Sequence, residues 1–63
     1  MIYVLESSIK VQGYKKLFKV SDDEIVFSIF KRTIFITGKD LSIDYFEADE
    51  FSIIGQVDNI KFE

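Results

Sequence analysis

The chain contains no cysteine and no histidine. Without cysteine there is neither a disulfide nor a thiolate metal site. Without histidine the commonest metal ligand and the commonest general base are gone. Long apolar runs are missing too: nothing approaches the ~20 residues a membrane helix needs. The opening "MIYVLESS" lacks a basic leader, and its apolar stretch is too short for a signal peptide. The chain reads as soluble, and the lack of cysteine fits a reducing compartment. Its 63 residues make one small domain, residues 1–63. A domain of this size buries only ~60% of its unfolded surface and needs help to be stable. With disulfides and thiolate metal sites excluded, oligomerisation is the aid that remains. A start Met that runs straight into a strand-like stretch reads as a trimmed chain.

Glycine is also scarce, at three residues, and its placement is informative. Two and four positions before Gly13, Gly38 and Gly55 stand Val11 and Ile9, Ile36 and Ile34, Ile53 and Phe51. Five and seven positions after them stand Phe18 and Val20, Ile43 and Tyr45, Ile60 and Phe62. This is a threefold internal repeat of strand, glycine turn and strand, with an extra strand from Ile25 to Phe30. The period of two holds almost throughout and the residues are rich in Ile, Val, Phe, Tyr and Thr, which predicts half-buried antiparallel strands. No helical stripe is sustained. Ser21-Asp22-Asp23-Glu24 and Glu47-Ala48-Asp49-Glu50 read as polar loops. Lys31-Arg32 is a poor two-residue turn, because neither residue accepts positive φ readily, so a longer loop or a bulge is expected there.

A second set of large apolar residues lies opposite the main one: Val26, Phe30, Phe35, Phe46 and Ile54, joined near the first turn by Tyr14 and Leu17. A lone sheet would not leave so many of them in water. The sheet is therefore expected to curl, to pair with a second copy, or to hold another protein, and self-association (a dimer) through this face is favoured.

Net charge is −3, which weighs against nucleic acid as the main partner. Residues 1–32 carry six basic and four acidic side chains, or +2; residues 33–63 carry two and seven, or −5. The alternative reading is a nucleic-acid or polyanion binder using Lys15, Lys16, Lys19, Lys31 and Arg32, which needs two or more aromatics exposed beside them on one face, from Phe30, Phe35 and Phe46. Signals of catalysis are nearly absent. No Gly-x-Ser-x-Gly, P-loop or dinucleotide fingerprint occurs. No base stands ready to activate Ser7, Ser8, Ser21, Ser28, Ser42 or Ser52. The adjacent acids Asp22, Asp23 and Glu24, and Asp49 and Glu50, point apart in extended chain, and the calcium-loop spacing is missing. The chain is read as a non-enzyme with no cofactor, metal or small-molecule substrate.

The order of features, Ile9-x-Val11-x-Gly13-Tyr14-Lys15-Lys16-Leu17, then "VSDDEIVFSIFKRTIFITGKDLSIDYF", then "ADEFSIIGQVDNIKF", resembles the YabP/YqfC family of sporulation proteins, most closely its YqfC-like branch. The resemblance runs from about Glu6 to Phe62. Its most specific parts are "TIFITGKDLSI" and "EFSIIGQVDNIKF". The chain departs from the family where Lys31-Arg32 stands in a hairpin that often contains glycine. The resemblance implies a small non-enzymatic protein of endospore formation in the mother-cell cytoplasm, brought to a membrane through a membrane-embedded sporulation partner. The sequence thus predicts an all-β domain of about seven or eight short antiparallel strands. They would form a twisted sheet or a partly open, barrel-like roll that serves as a structural or interaction module.

Overall fold

The computed structural model covers residues 1–63 and contains no helix. Six strands form: β1 (Ile2–Val4), β2 (Ile9–Gln12), β3 (Lys16–Val20), β4 (Glu24–Ile29), β5 (Arg32–Glu47) and β6 (Glu50–Phe62). They make one antiparallel sheet in the order β1-β2-β6-β5-β4-β3. The fold is all-β, as the alternation predicts, and it is not closed into a barrel.

Strand length dictates the shape. At ~3.3 Å per residue, a straight β5 would span roughly 50 Å and a straight β6 roughly 43 Å. The molecule measures 26 × 22 × 18 Å, so both strands must bend. The first half of β5 pairs with β4 on one side and with the C-terminal half of β6 on the other, as in Ile34 opposite Phe27 and Phe62. Its second half pairs with the N-terminal half of β6, which in turn carries β2 and then β1. The bends therefore fold one sheet into two layers, β3-β4-β5-β6 and β1-β2-β6-β5, with β5 and β6 passing through both. A thickness of 18 Å suits two sheets stacked ~10 Å apart.

The core lies between the layers. Ile25, Phe27, Ile34 and Ile36 from one meet Ile9, Val11, Phe51 and Ile53 from the other, and Leu41 is buried at the bend. Phe27 and Phe51 touch edge to face across the gap, with ring centroids 5.3 Å apart. At roughly 1.5–3 kcal/mol for each fully buried large apolar side chain, this cluster is the main source of stability.

The glycines explain why the strands number six and not seven or eight. Only Gly13, at φ +76°, lies in a link between strands. Gly38 and Gly55 lie inside β5 and β6, where those strands bend and their backbones come closest. A register shift separates Thr37 from Gly38, and another separates Lys39 from Ser42. Such bulges turn backbone groups out of the ladder. The Ser21–Asp23 loop takes them up: the Gly38 N–H donates to the Asp23 carbonyl at 3.0 Å, and the Leu41 N–H to that of Asp22 at 2.8 Å. That loop is held by Ser21, whose Oγ accepts from the Glu24 N–H at 3.1 Å.

Three further expectations are corrected. A bulge at Asp44 shifts the register between Ile43 and Tyr45, so Tyr45 faces outward and Phe46 turns in to stack on Phe51 at 5.9 Å. A second bulge, between Leu17 and Lys19, leaves Phe18 at the exposed edge, while Leu17 and Tyr14 pack on the core. The turn before β5 is neither long nor bulged: Ile29 pairs with Arg32, and Phe30-Lys31 is a two-residue loop in which Phe30 takes φ +54°.

Candidate functional site

The five residues singled out as a second apolar face do not form one. Val26 and Phe35 are cross-strand neighbours on the outer side of the β3-β4-β5-β6 layer, where Val26 is buried and Phe35 half-buried between Val26 and Lys61. Ile54 is opposite Ser42 in the other layer. Phe46 belongs to the core side, where it also meets the Tyr14 ring edge-on at 5.8 Å. Phe30 stands alone on its turn, 83% exposed. The basic residues are spread as well. Lys19 is paired with Glu24 at 2.8 Å, Arg32 lies over the Phe62 ring at 5.9 Å, and Lys16 faces Ser28 on an edge strand. Of Phe30, Phe35 and Phe46, only Phe35 shares a sheet face with Lys16 and Lys19. The three aromatics expected to form a polyanion platform therefore do not share one face beside these lysines.

What the fold does assemble is an apolar seam. The layers stay apart along the line where β1 faces the C-terminal half of β6. A cavity of about 260 Å³ opens there among Val4, Leu5, Ile9, Ile53, Val57 and Ile60. A second, of about 350 Å³, continues it among Met1, Ile2, Phe30, Arg32, Ile34 and Phe62. Both are lined mainly by hydrophobic groups, and Met1, Val4, Leu5, Phe30 and Phe62 remain exposed at the rim. The opposite seam, between β3 and the second half of β5, is drawn together by the loop–bend hydrogen bonds and by Tyr14 on Phe46. Sequence reasoning passed over the Met1–Leu5 side of this site. Its signal was the absence of any charged side chain from "MIYVL".

Phe30 is the strained member of the seam. An L-residue in the left-handed region costs roughly 1–2 kcal/mol, and Asn or Gly is the usual occupant of such a hairpin position. Phe30→Asn should therefore raise stability by about 1 kcal/mol, or roughly 4–8 °C in Tm for a domain this small. Thermal unfolding followed by circular dichroism at low protein concentration checks it; an unchanged or lower Tm counts against strain at this turn.

On the outer side of the β1-β2-β6-β5 layer, three side chains converge on Glu50. Gln12 Nε2 donates to Glu50 Oε1 at 2.8 Å, the Tyr45 hydroxyl donates to Oε2, and Lys10 Nζ lies 3.5 Å from Oε2. The Tyr45 and Gln12 hydrogen bonds, aided by the Lys10 charge, hold the Glu50 carboxyl below its ordinary 4.5. The Tyr45 phenol is pushed up to about 12, first by its hydrogen bond to Glu50 and then by desolvation. The signs follow from linkage. The Glu50 contribution is complete above about 4.5 and is lost as pH falls through the lower folded value. The Tyr45 contribution is complete below 10 and is lost as pH rises towards about 12. Tyr45→Phe should flatten the alkaline limb and shrink the acid limb of a plot of urea midpoint against pH; a profile identical to wild type would remove this group from the account. The cluster ties three strands together, and Gln12 and Glu50 border an open depression shared with Met1, Gly13, Phe30 and Asp49; it is a structural network. No group of three or more His, Cys, Asp or Glu side chains is placed to hold a metal ion, and no helix is long and apolar enough to cross a membrane. No protein-family model matches the chain, and no curated protein matches it in sequence.

Proposed function

We propose that the chain is a non-enzymatic interaction module of endospore formation, working by self-association and by binding a protein partner, with a membrane-embedded sporulation protein as the candidate that the resemblance offers. The observation that carries the interaction reading is the open apolar seam ending at Phe30. A large aromatic is held in solvent, on strained backbone, at the rim of the second apolar cavity. A residue kept where a smaller one would be more stable is a sign of use. Glu24 is paired with Lys19 and Glu50 with Gln12, Tyr45 and Lys10, and no three acidic side chains are grouped to hold a metal ion. The sporulation role rests on the resemblance of the β5 and β6 stretches, "TIFITGKDLSI" and "EFSIIGQVDNIKF", to the YqfC-like pattern.

Sedimentation equilibrium over a wide dilution range tests the association. A reversible dimer or larger species is expected, and a monomer at every concentration would overturn self-association. Loss of the gene should lower heat-resistant spore counts and leave vegetative growth unchanged; normal spore counts would remove the biological assignment.

A further inference from the structure

Four strand edges are open in this fold, and three carry devices that discourage pairing. β3 has Lys16, Lys19 and a bulge at Phe18. The second half of β5 has Asp44, Glu47 and the Asp44 bulge. The C-terminal half of β6 has Asp58 and Lys61. Charges and bulges are how sheets guard their edges. β1 has neither on its open side: Met1–Leu5 contains no charged side chain, the Met1 ammonium is turned to Gln12 of β2, the pairing with β2 is regular, and Val4 is 69% exposed.

The backbone of β1 is also preset for one partner. The Met1 amine donates to the Gln12 carbonyl and the Gln12 N–H to that of Met1, while the Leu5 N–H donates to the Ser8 carbonyl. Antiparallel ladders alternate, so Met1, Tyr3 and Leu5 face β2, and Ile2 and Val4 turn their N–H and C=O groups to the open edge. We infer that this edge is a dimer interface, in which β1 pairs antiparallel with β1 of a second copy about a two-fold axis at Tyr3. This specifies the surface behind the self-association proposed above and rests on that reading. Centred on Tyr3, the pairing sets Ile2 opposite Val4 of the partner subunit and Val4 opposite Ile2 of the partner subunit. All the outward backbone groups of β1 are then used, in four hydrogen bonds. Centring on Ile2 or on Val4 leaves some of them unpaired. A two-fold axis brings the same patch of both copies together, so a self-complementary edge is what it requires.

The area is adequate. Phe30 and Phe62 on the seam side of β1, and Tyr3 on its outer side, are 83%, 52% and 41% exposed, which at ~200 Å² per aromatic side chain is on the order of 350 Å² flanking the edge. With Met1, Val4 and Leu5 the patch reaches on the order of 600 Å² per copy, near the ~800 Å² per partner of a standard stable interface. Phe30 and Phe62 line the same cavity as Met1 and Ile2, so the patch is continuous with the edge.

The test is sedimentation equilibrium of the whole chain and of three variants, with amide exchange followed residue by residue. Val4→Pro deletes two of the four inter-chain hydrogen bonds and none of those to β2, so it should weaken dimerisation ~30-fold or more. Val4→Lys supplies the missing edge charge and should do the same. Phe35→Glu, on the outer face, should leave the dimer intact. In the wild-type dimer the Ile2 and Val4 amides should be protected from exchange. A dimer that survives folded Val4→Pro and Val4→Lys overturns the edge assignment and leaves self-association standing, as does dissociation by Phe35→Glu alone. A monomeric wild type overturns both. If either Val4 variant fails to fold, the wild-type amides decide: free exchange at Ile2 and Val4 in a dimer sinks the edge assignment.

Discussion

Gly55→Ala should abolish folding at 25 °C, whereas Gly13→Ala should cost only about 1–2 kcal/mol. The two glycines look alike in sequence and both take positive φ, +122° at Gly55 and +76° at Gly13. Their surroundings separate them. A Cβ on Gly13 meets nothing within 4 Å, so the substitution carries backbone strain alone. A Cβ on Gly55 runs into the Asp40 carbonyl oxygen and comes within 2.9 Å of the Leu41 Cα. Those are backbone atoms of the bend in β5 and have no rotamer through which to move. Asp40 itself sits at φ +54° with its neighbours tied to the Ser21–Asp23 loop, so a shift there would strain the loop as well. Gly38→Ala meets the same obstacle from the other strand, against the Gln56 carbonyl oxygen and 3.0 Å from the Val57 Cα. A domain of this length has roughly 3–9 kcal/mol of stability to lose, at ~0.05–0.15 kcal/mol per residue. Separating two strands at the point where both layers are joined should exhaust it. Urea unfolding by circular dichroism gives the ranking; a Gly55→Ala midpoint close to that of Gly13→Ala would show that the crossing is looser than this geometry.

The same pair of positions marks what can and cannot be read from the sequence. Alternation predicts strands, and the six residues it places before the glycines, Ile9, Val11, Ile34, Ile36, Phe51 and Ile53, are all in the core. Glycine, however, serves two physical purposes: a tight turn with positive φ, and close approach of two backbones. Both interrupt a period of two and restart it out of phase. The threefold repeat was real, but only its first copy turns; the other two bend. A missing polar cluster after Gly55, in "IIGQVDNIKF", was the one sign that β6 continues. Bulges were less legible still. One extra residue at Asp44 reverses every later side chain, which is why Tyr45 and Phe46 exchange sides. Nothing in "SIDYFE" announces that shift; it emerges only when the stretch pairs across the β5–β6 turn with Ile53, Ser52 and Phe51. Phe30 at positive φ was hidden for a related reason. Local preference argues against it, and the registry of β4 with β5 imposes it. The apolar seam escaped because it joins the first five residues to the last half-strand, a contact that no local pattern contains.

Phe51→Ala is the substitution expected to cost most among the core side chains. Phe51 is fully buried and is the one ring that touches three others: Tyr14 edge-on at 5.0 Å, Phe27 edge-on at 5.3 Å and Phe46 stacked at 5.9 Å. Phe27 belongs to the other layer, Tyr14 to the link that crosses between layers, and Phe46 to the end of β5. Truncation at this point opens a cavity where the layers meet and frees the crossover at once. Removing a buried Phe costs about 3–5 kcal/mol through lost transfer energy and the residual void. The aromatic pairs contribute beyond area, at about 0.5–1.5 kcal/mol each, though not additively, because they share one ring. The total is comparable to the roughly 3–9 kcal/mol of stability that a chain of 63 residues commands. Phe51→Ala should therefore be unfolded or molten in the absence of stabilising salt, with broad amide resonances and no sharp thermal transition. Phe51→Leu, which keeps most of the volume, should fold with a lowered midpoint. Phe18→Ala, at the exposed edge, should shift it by less than about 1 kcal/mol. A cooperative Phe51→Ala transition within that small range would mean the layers are held by something other than this aromatic cluster. The remaining candidates would then be the backbone bonds of Asp22 and Asp23 to the bend.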